Sequence, residues 1–117
     1  MIRNQAGVWG EIYAVRWLRD RGWRILTTNY TCRFGELDIV AAKDGVVSFV
    51  EVKARAQDAM LRPMEAVDAQ KQQRLTQAAK QFLRMCKIEA ELRFDVCEVY
   101  LTDGDKLARI NYMENAF

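Results

Sequence analysis

The chain has 117 residues, half of them hydrophobic, with a single proline and a net charge of +2; this suits one domain with one core and argues for a compact globular protein rather than a disordered one. No apolar run approaches the roughly 20 residues of a membrane span, and the start enters a helical pattern directly, without a signal-peptide hydrophobic region. Histidine is absent and the three cysteines lack paired spacing, which removes Ser–His and Cys–His nucleophile systems and reads as reduced, mostly buried thiols in a cytoplasmic protein.

Residues 6–21 predict a first helix, with Ala14, Val15 and Leu18 on one stripe and Gly22 as its stop. Glu11 falls on that stripe, where a carboxylate is unusual without a partner. The positive end of the helix dipole favours an acid there as well, so a site role and a local role both stand. Residues 23–30 predict a strand, and 36–43 and 46–54 a hairpin turning at Asp44-Gly45. A loop over 56–63 closes with Arg62-Pro63, and a helix is expected from about residue 64 to 87. Its apolar stripe includes Val67, Leu75, Ala78, Ala79, Phe82 and Leu83. Lys71 lies on the same line, either as a lysine snorkelling from the stripe's edge or as a site residue. Strands follow over 92–101 and 107–112, separated by the turn Asp103-Gly104-Asp105. The order α-β-β-β-α-β-β predicts a single α/β domain over 1–117, a mixed sheet flanked by helices, with the second helix crossing between strands.

The hairpin is the most informative feature. Both strands carry charge at every second position within Val-, Ile- and Phe-rich runs. A two-residue Asp44-Gly45 turn opposes Lys43 and Val46, so opposed residue numbers sum to 89. Continued outward, that register sets Asp38 across from Glu51 and Glu36 across from Lys53, with all four side chains on one face. Two carboxylates about 5 Å apart repel by roughly 3 kcal/mol at an effective dielectric near 20. A hard divalent cation between them reverses that sign. The plainer reading is a solvated sheet face with Glu36 and Lys53 as a cross-strand ion pair. Asp95, in Arg93-Phe94-Asp95-Val96, is a further acid for which a structural hydrogen-bonding role is favoured.

Charge is unevenly spread. Residues 1–35 hold six basic and two acidic groups, and residues 62–87 again six and two. Residues 36–61 hold three and five, and residues 88–117 three and seven. Basic segments around an acidic strand pair suit a polyanion held beside a cation, although charged helices are also simply soluble.

Gly10-Glu11, Gly35-Glu36-Leu37-Asp38, Phe49-Val50-Glu51-Val52-Lys53-Ala54-Arg55, Lys71, Arg93-Phe94-Asp95 and Asn115-Ala116-Phe117 occur in the order found in the YraN family, which this chain resembles over nearly its full length. That family of small bacterial proteins is similar to the PD-(D/E)XK nucleases, nearest to archaeal Holliday-junction resolvases. The resemblance implies a restriction-endonuclease-like core and metal-dependent phosphodiester hydrolysis. Asp38, Glu51 and the Val52 carbonyl would hold Mg²⁺ or Mn²⁺, and Glu11 would complete the site. Glu11, Asp38, Glu51 and Lys53 would form the catalytic set, with Lys53 neutralising developing charge. Arg55, Lys71, Arg74, Arg16 and Arg33 would contact nucleic acid, with DNA favoured. Resolving branched DNA would require two active sites, which suggests a homodimer. Leu37 departs from the proline of the superfamily's name, and the loop 56–62 lacks a glycine found in related sequences. A non-catalytic nucleic-acid-binding protein and a partner-binding domain with a salt-bridged hairpin are the rival readings.

Overall fold

The computed structural model describes residues 5–58 and 68–117. Helix α1 (Gln5–Asp20) buries Gly10, Ala14 and Leu18. It stops where Gly22 takes a positive φ of 87°, which lets the N–H groups of Gly22 and Trp23 reach the Arg19 and Leu18 carbonyls at 3.0 Å. Strands β1 (Arg24–Cys32), β2 (Gly35–Lys43) and β3 (Val46–Ala56) follow as an antiparallel meander. Helix α2 (Ala69–Met85) then carries the chain to β4 (Glu91–Leu101), which lies parallel to β3, and β5 (Leu107–Met113) closes antiparallel to β4. The sheet order is β1-β2-β3-β4-β5, and the expected element order holds throughout.

The start of α2 differs from the sequence expectation. Asp68 is extended, with ψ 163°, and its side chain accepts the Lys71 N–H, so it caps a helix that begins at Ala69 rather than near residue 64. The expected stripe residue Val67, the Arg62-Pro63 stop and most of the 56–63 loop lie outside the described residues. The thiols differ too: Cys97 is buried and Cys32 half-buried, but Cys86 is exposed.

Apolar side chains divide between the two faces of the sheet. Leu75, Ala78, Ala79 and Phe82 of α2 pack on Leu37, Val40, Val47, Phe49 and Phe94. Ala14 and Leu18 of α1 pack on Ile39, Ala41, Val50, Cys97, Val99 and Leu101. Along β3 the alternation is regular: Val47 and Phe49 face α2, whereas Val50, Val52 and Ala54 face α1. Along β2 it slips. Ile39 and Ala41 face α1, and strict alternation would send Leu37 the same way, yet Leu37 packs under α2. The slip falls at Asp38.

Candidate active site

Asp38 is where the sheet forks. The expected register is present near the turn, from Lys43↔Val46 to Ile39↔Val50, and there the β2–β3 pairing ends. Asp38 Oδ2 accepts the Val52 N–H at 2.8 Å, so a side chain takes the donor that a regular ladder would give to a main-chain carbonyl. Beyond this point β2 stays with β1 and β3 stays with β4. Asp38–Glu51 and Glu36–Lys53 are therefore not opposed ladder pairs, and the four side chains do not share one face. Glu51 and Lys53 leave β3 on the α2 side. Glu36, next to Leu37, leaves β2 on the α1 side, where Glu11 also sits. Asp38 lies between them.

The charges nevertheless converge. The Asp38 carboxyl is pushed up from 3.8 to about 6, first by burial, against the pull of the Val52 N–H, and further by repulsion from Glu51, Glu36 and Glu11. Asp38 and Glu51 line one small cavity of about 10 Å³, walled by Leu37, Phe49, Leu75, Phe94 and Phe117, which has room for roughly one water. From α2, Lys71 Nζ meets Glu51 Oε1 at 2.5 Å. Lys71 thus reaches Glu51 from the edge of α2. From α1, Glu11 Oε1 accepts a hydrogen bond from Asn29 Nδ2 at 2.8 Å. Asn29 has a positive φ of 55° and faces Asp38 across a gap in the β1–β2 pairing. Its only sequence signal is that asparagine tolerates left-handed backbone.

Gly10 explains how Glu11 comes so close. A Cβ at Gly10 would lie 3.0 Å from the Ala54 Cβ and 3.7 Å from Val52 Cγ1, so the glycine lets α1 press onto the outer half of β3.

The remaining basic candidates are dispersed. Arg55 Nε lies 3.6 Å from Glu98 Oε2, and buried Glu98 also accepts from Tyr100 and Asn111. Arg33 stands at the β1–β2 turn with its guanidinium 4.7 Å from the Phe34 ring. Arg74 is exposed on α2. Arg16 lines an open groove beside α1 that also holds Glu11 and Asn29. Asp95 lies on the opposite side of the sheet from Glu51. It accepts from Ser48, Arg93, Tyr112 and the Asn115 N–H, which is the structural role favoured for it.

Among the described residues no three His, Cys, Asp or Glu side chains form a closed metal-binding set. The donors at the fork are all oxygen, and they repel one another as found. That chemistry fits a hard ion held by two carboxylates and a carbonyl, with water filling the rest of its shell, rather than an all-protein cage.

These features define an α/β domain with helices on both faces of a forked mixed sheet and carboxylates gathered at the fork. The chain belongs to the uncharacterised protein family UPF0102, whose model matches residues 10–99, the family whose YraN-type motifs the sequence carries. It is 42% identical to a UPF0102 protein of Alkaliphilus oremlandii over 99% of this chain and all of that protein. It is 38% identical to one of Clostridium perfringens strain 13, covering 95% and 92% of the two chains. A Porphyromonas gingivalis relative is 40% identical, over 97% and 84%. No helix among the described residues is long and apolar enough to cross a membrane.

Proposed function

We propose that this protein is a metal-dependent nuclease that hydrolyses phosphodiester bonds, with DNA as the favoured substrate and branched DNA as a candidate form of it. The observation that carries the reading is the fork. Burial holds the Asp38 carboxyl up near 6 against the Val52 N–H, and repulsion from Glu51, Glu36 and Glu11 adds to it, with Lys53 on the same strand as Glu51. Carboxylate clusters of this kind are costly, and relief by a divalent cation gives the cost a purpose.

Asp38, Glu51 and the Val52 carbonyl would hold Mg²⁺ or Mn²⁺, with Glu11 completing the set. The ion would supply Lewis acidity toward a phosphoryl oxygen. Lys53 neutralises charge developing on the phosphate and orients the attacking water. Asn29 holds Glu11 in place, and Lys71 aims Glu51. A reduced, cytoplasmic setting accords with three free thiols.

A second reading, a nucleic-acid-binding protein without catalysis, is favoured by one contact. The Lys71 ammonium, 2.5 Å from Glu51, already supplies a positive charge that an ion would bring.

The test is incubation of labelled linear, flapped and four-way-junction DNAs with the protein in Mg²⁺, Mn²⁺ or EDTA. Metal-dependent cleavage that disappears in Asp38→Ala and Lys53→Ala supports the nuclease. Binding with no cleavage across the panel, by folded protein, selects the second reading.

A further inference from the structure

The groove between α1 and the edge strand β1 has room for a ligand. It is an open cavity of about 450 Å³ whose polar lining is Glu11, Arg16, Arg19, Thr28 and Asn29. Its α1 wall is otherwise apolar, and Val8 there is 39% exposed. Arg16 and Arg19 are both exposed. Arg16 lies 5.9 Å from the Tyr13 ring, and no ion pair among the described residues takes either guanidinium.

The order of charge along the groove is informative. Glu11 stands at the fork end. Arg16 and Arg19 follow roughly 8 and 12 Å further along the helix axis, at about 1.5 Å per residue. At three residues' separation the two arginines are neighbours on one face, about 5–6 Å apart at Cβ, a spacing comparable to that of successive phosphates on an extended strand. Thr28 and Asn29 present hydrogen-bonding groups on the opposite wall, and the apolar wall can take sugar and base surface. A phosphodiester strand with one phosphate at the fork must place its next phosphates somewhere, and carboxylates would repel them. This groove supplies cations at that distance.

We infer that the α1–β1 groove is a binding track for one strand of a nucleic acid, with Arg16 and Arg19 holding consecutive phosphates next to the one presented at the fork. Arg19 thereby gains a role that its sequence position does not suggest. The inference deepens the nucleic-acid reading and rests on it, but it does not require that the site cleave.

The test is fluorescence-anisotropy binding of labelled single-stranded DNA and RNA oligonucleotides in EDTA, across a salt series, with inorganic polyphosphate as competitor. The double variant Arg16→Ala/Arg19→Ala is expected to bind on the order of 10-fold more weakly. Its log–log salt dependence should flatten by about 1.4, at roughly 0.7 per lost phosphate contact on a single strand. Thr28→Glu, which puts a negative charge on the β1 wall without touching α1, should weaken binding in the same direction. Arg109→Ala, which removes one positive charge on the far edge strand, should leave affinity unchanged. Comparable thermal melts for all variants exclude unfolding as the cause. Equal binding by the double variant and the unmodified protein overturns the groove, even if that protein cleaves DNA. Weakened binding without cleavage by any form keeps the groove and removes the nuclease. Displacement of the oligonucleotide by polyphosphate at equal phosphate concentration, with no change in the double variant, marks a nonspecific anion surface elsewhere and overturns the groove as well.

Discussion

Asp38 shows how a single carboxylate can decide what a strand pair becomes. By accepting the Val52 N–H it ends one ladder, and by sitting among Glu51, Glu36 and Glu11 it carries their repulsion. A carboxyl raised from 3.8 to about 6 is a cost at neutral pH. The folded state holds that proton more tightly than the unfolded chain, so the penalty is fully present above about pH 6 and fades as pH falls toward 3.8. When fully expressed the shift is worth on the order of 3 kcal/mol, which partial exposure reduces to about 1–2. Asp38→Asn should therefore stabilise the metal-free protein by about 1–2 kcal/mol near pH 8, with the gain vanishing near pH 4. Urea denaturation at a series of pH values checks this, and a destabilised variant at pH 8 would contradict it. The same substitution should abolish metal-dependent cleavage. Much of this residue's setting is legible in the sequence, because Asp44-Gly45 sets the register from Lys43↔Val46 to Ile39↔Val50. What is not legible is the point at which the register stops. A side chain replacing a main-chain acceptor leaves no mark on apolar periodicity.

At the scale of elements, two contacts hold the site's parts in place. The first is the close approach of α1 to β3 at Gly10, where an added Cβ would meet Ala54 at 3.0 Å. Gly10→Val should cost about 1–3 kcal/mol through overpacking and should reduce cleavage, because it pushes Glu11 away from Asp38. Equilibrium unfolding and the cleavage assay read the two effects separately. The second is the polar knot further along the same, α1 side of the sheet. Asp95 joins β4 to β3 through Ser48 at 2.6 Å and to β5 through Tyr112 at 2.6 Å, and it accepts the Asn115 N–H at 3.0 Å. Burial pushes the Asp95 carboxyl up, but hydrogen bonds from Arg93, Ser48, Tyr112 and Asn115 outweigh it and hold the carboxyl below its ordinary value. For a depressed carboxyl the stabilisation is present above the unfolded value of 3.8 and is lost as pH falls through the folded one. Acid unfolding should thus steepen below about pH 4 and soften in Asp95→Asn, as circular dichroism along a pH titration would record. Asp95→Ala should cost roughly 3–5 kcal/mol, since it removes the main partner of Arg93 and the acceptor of Ser48, Tyr112 and the Asn115 N–H. Element order was readable because hydrophobic period switches cleanly between helix and strand. The start of α2 was less so: helix-forming residues continue upstream of it, and only the Asp68 cap marks the boundary.

Across the whole molecule, the sheet is braced on both faces while its forked end gathers like charge. Ala14 and Leu18 of α1 and Ala78 and Ala79 of α2 are fully buried against it, so little repacking is available to let the carboxylates separate. The fold therefore concentrates repulsion that a ligand can remove. If two carboxylates and a carbonyl accept a hard ion, binding must stabilise the native state by mass action, at about 2.7 kcal/mol when the ion is at 100 times its dissociation constant. For a domain of this size that amounts to a rise of roughly 10 °C in melting temperature. Mn²⁺ should produce such a rise in the unmodified protein, and NaCl at matched ionic strength should not, because general screening acts weakly on partly buried groups. Asp38→Ala and Glu51→Ala should lose the response. Lys71→Ala should strengthen it, since removing the ammonium beside Glu51 leaves more negative charge for the ion to neutralise. Differential scanning calorimetry of these four proteins decides the matter without any substrate. A melting temperature indifferent to Mn²⁺ in all of them, Lys71→Ala included, would mean that the fork holds no ion, and the carboxylates would then belong to a binding surface and not to a catalyst.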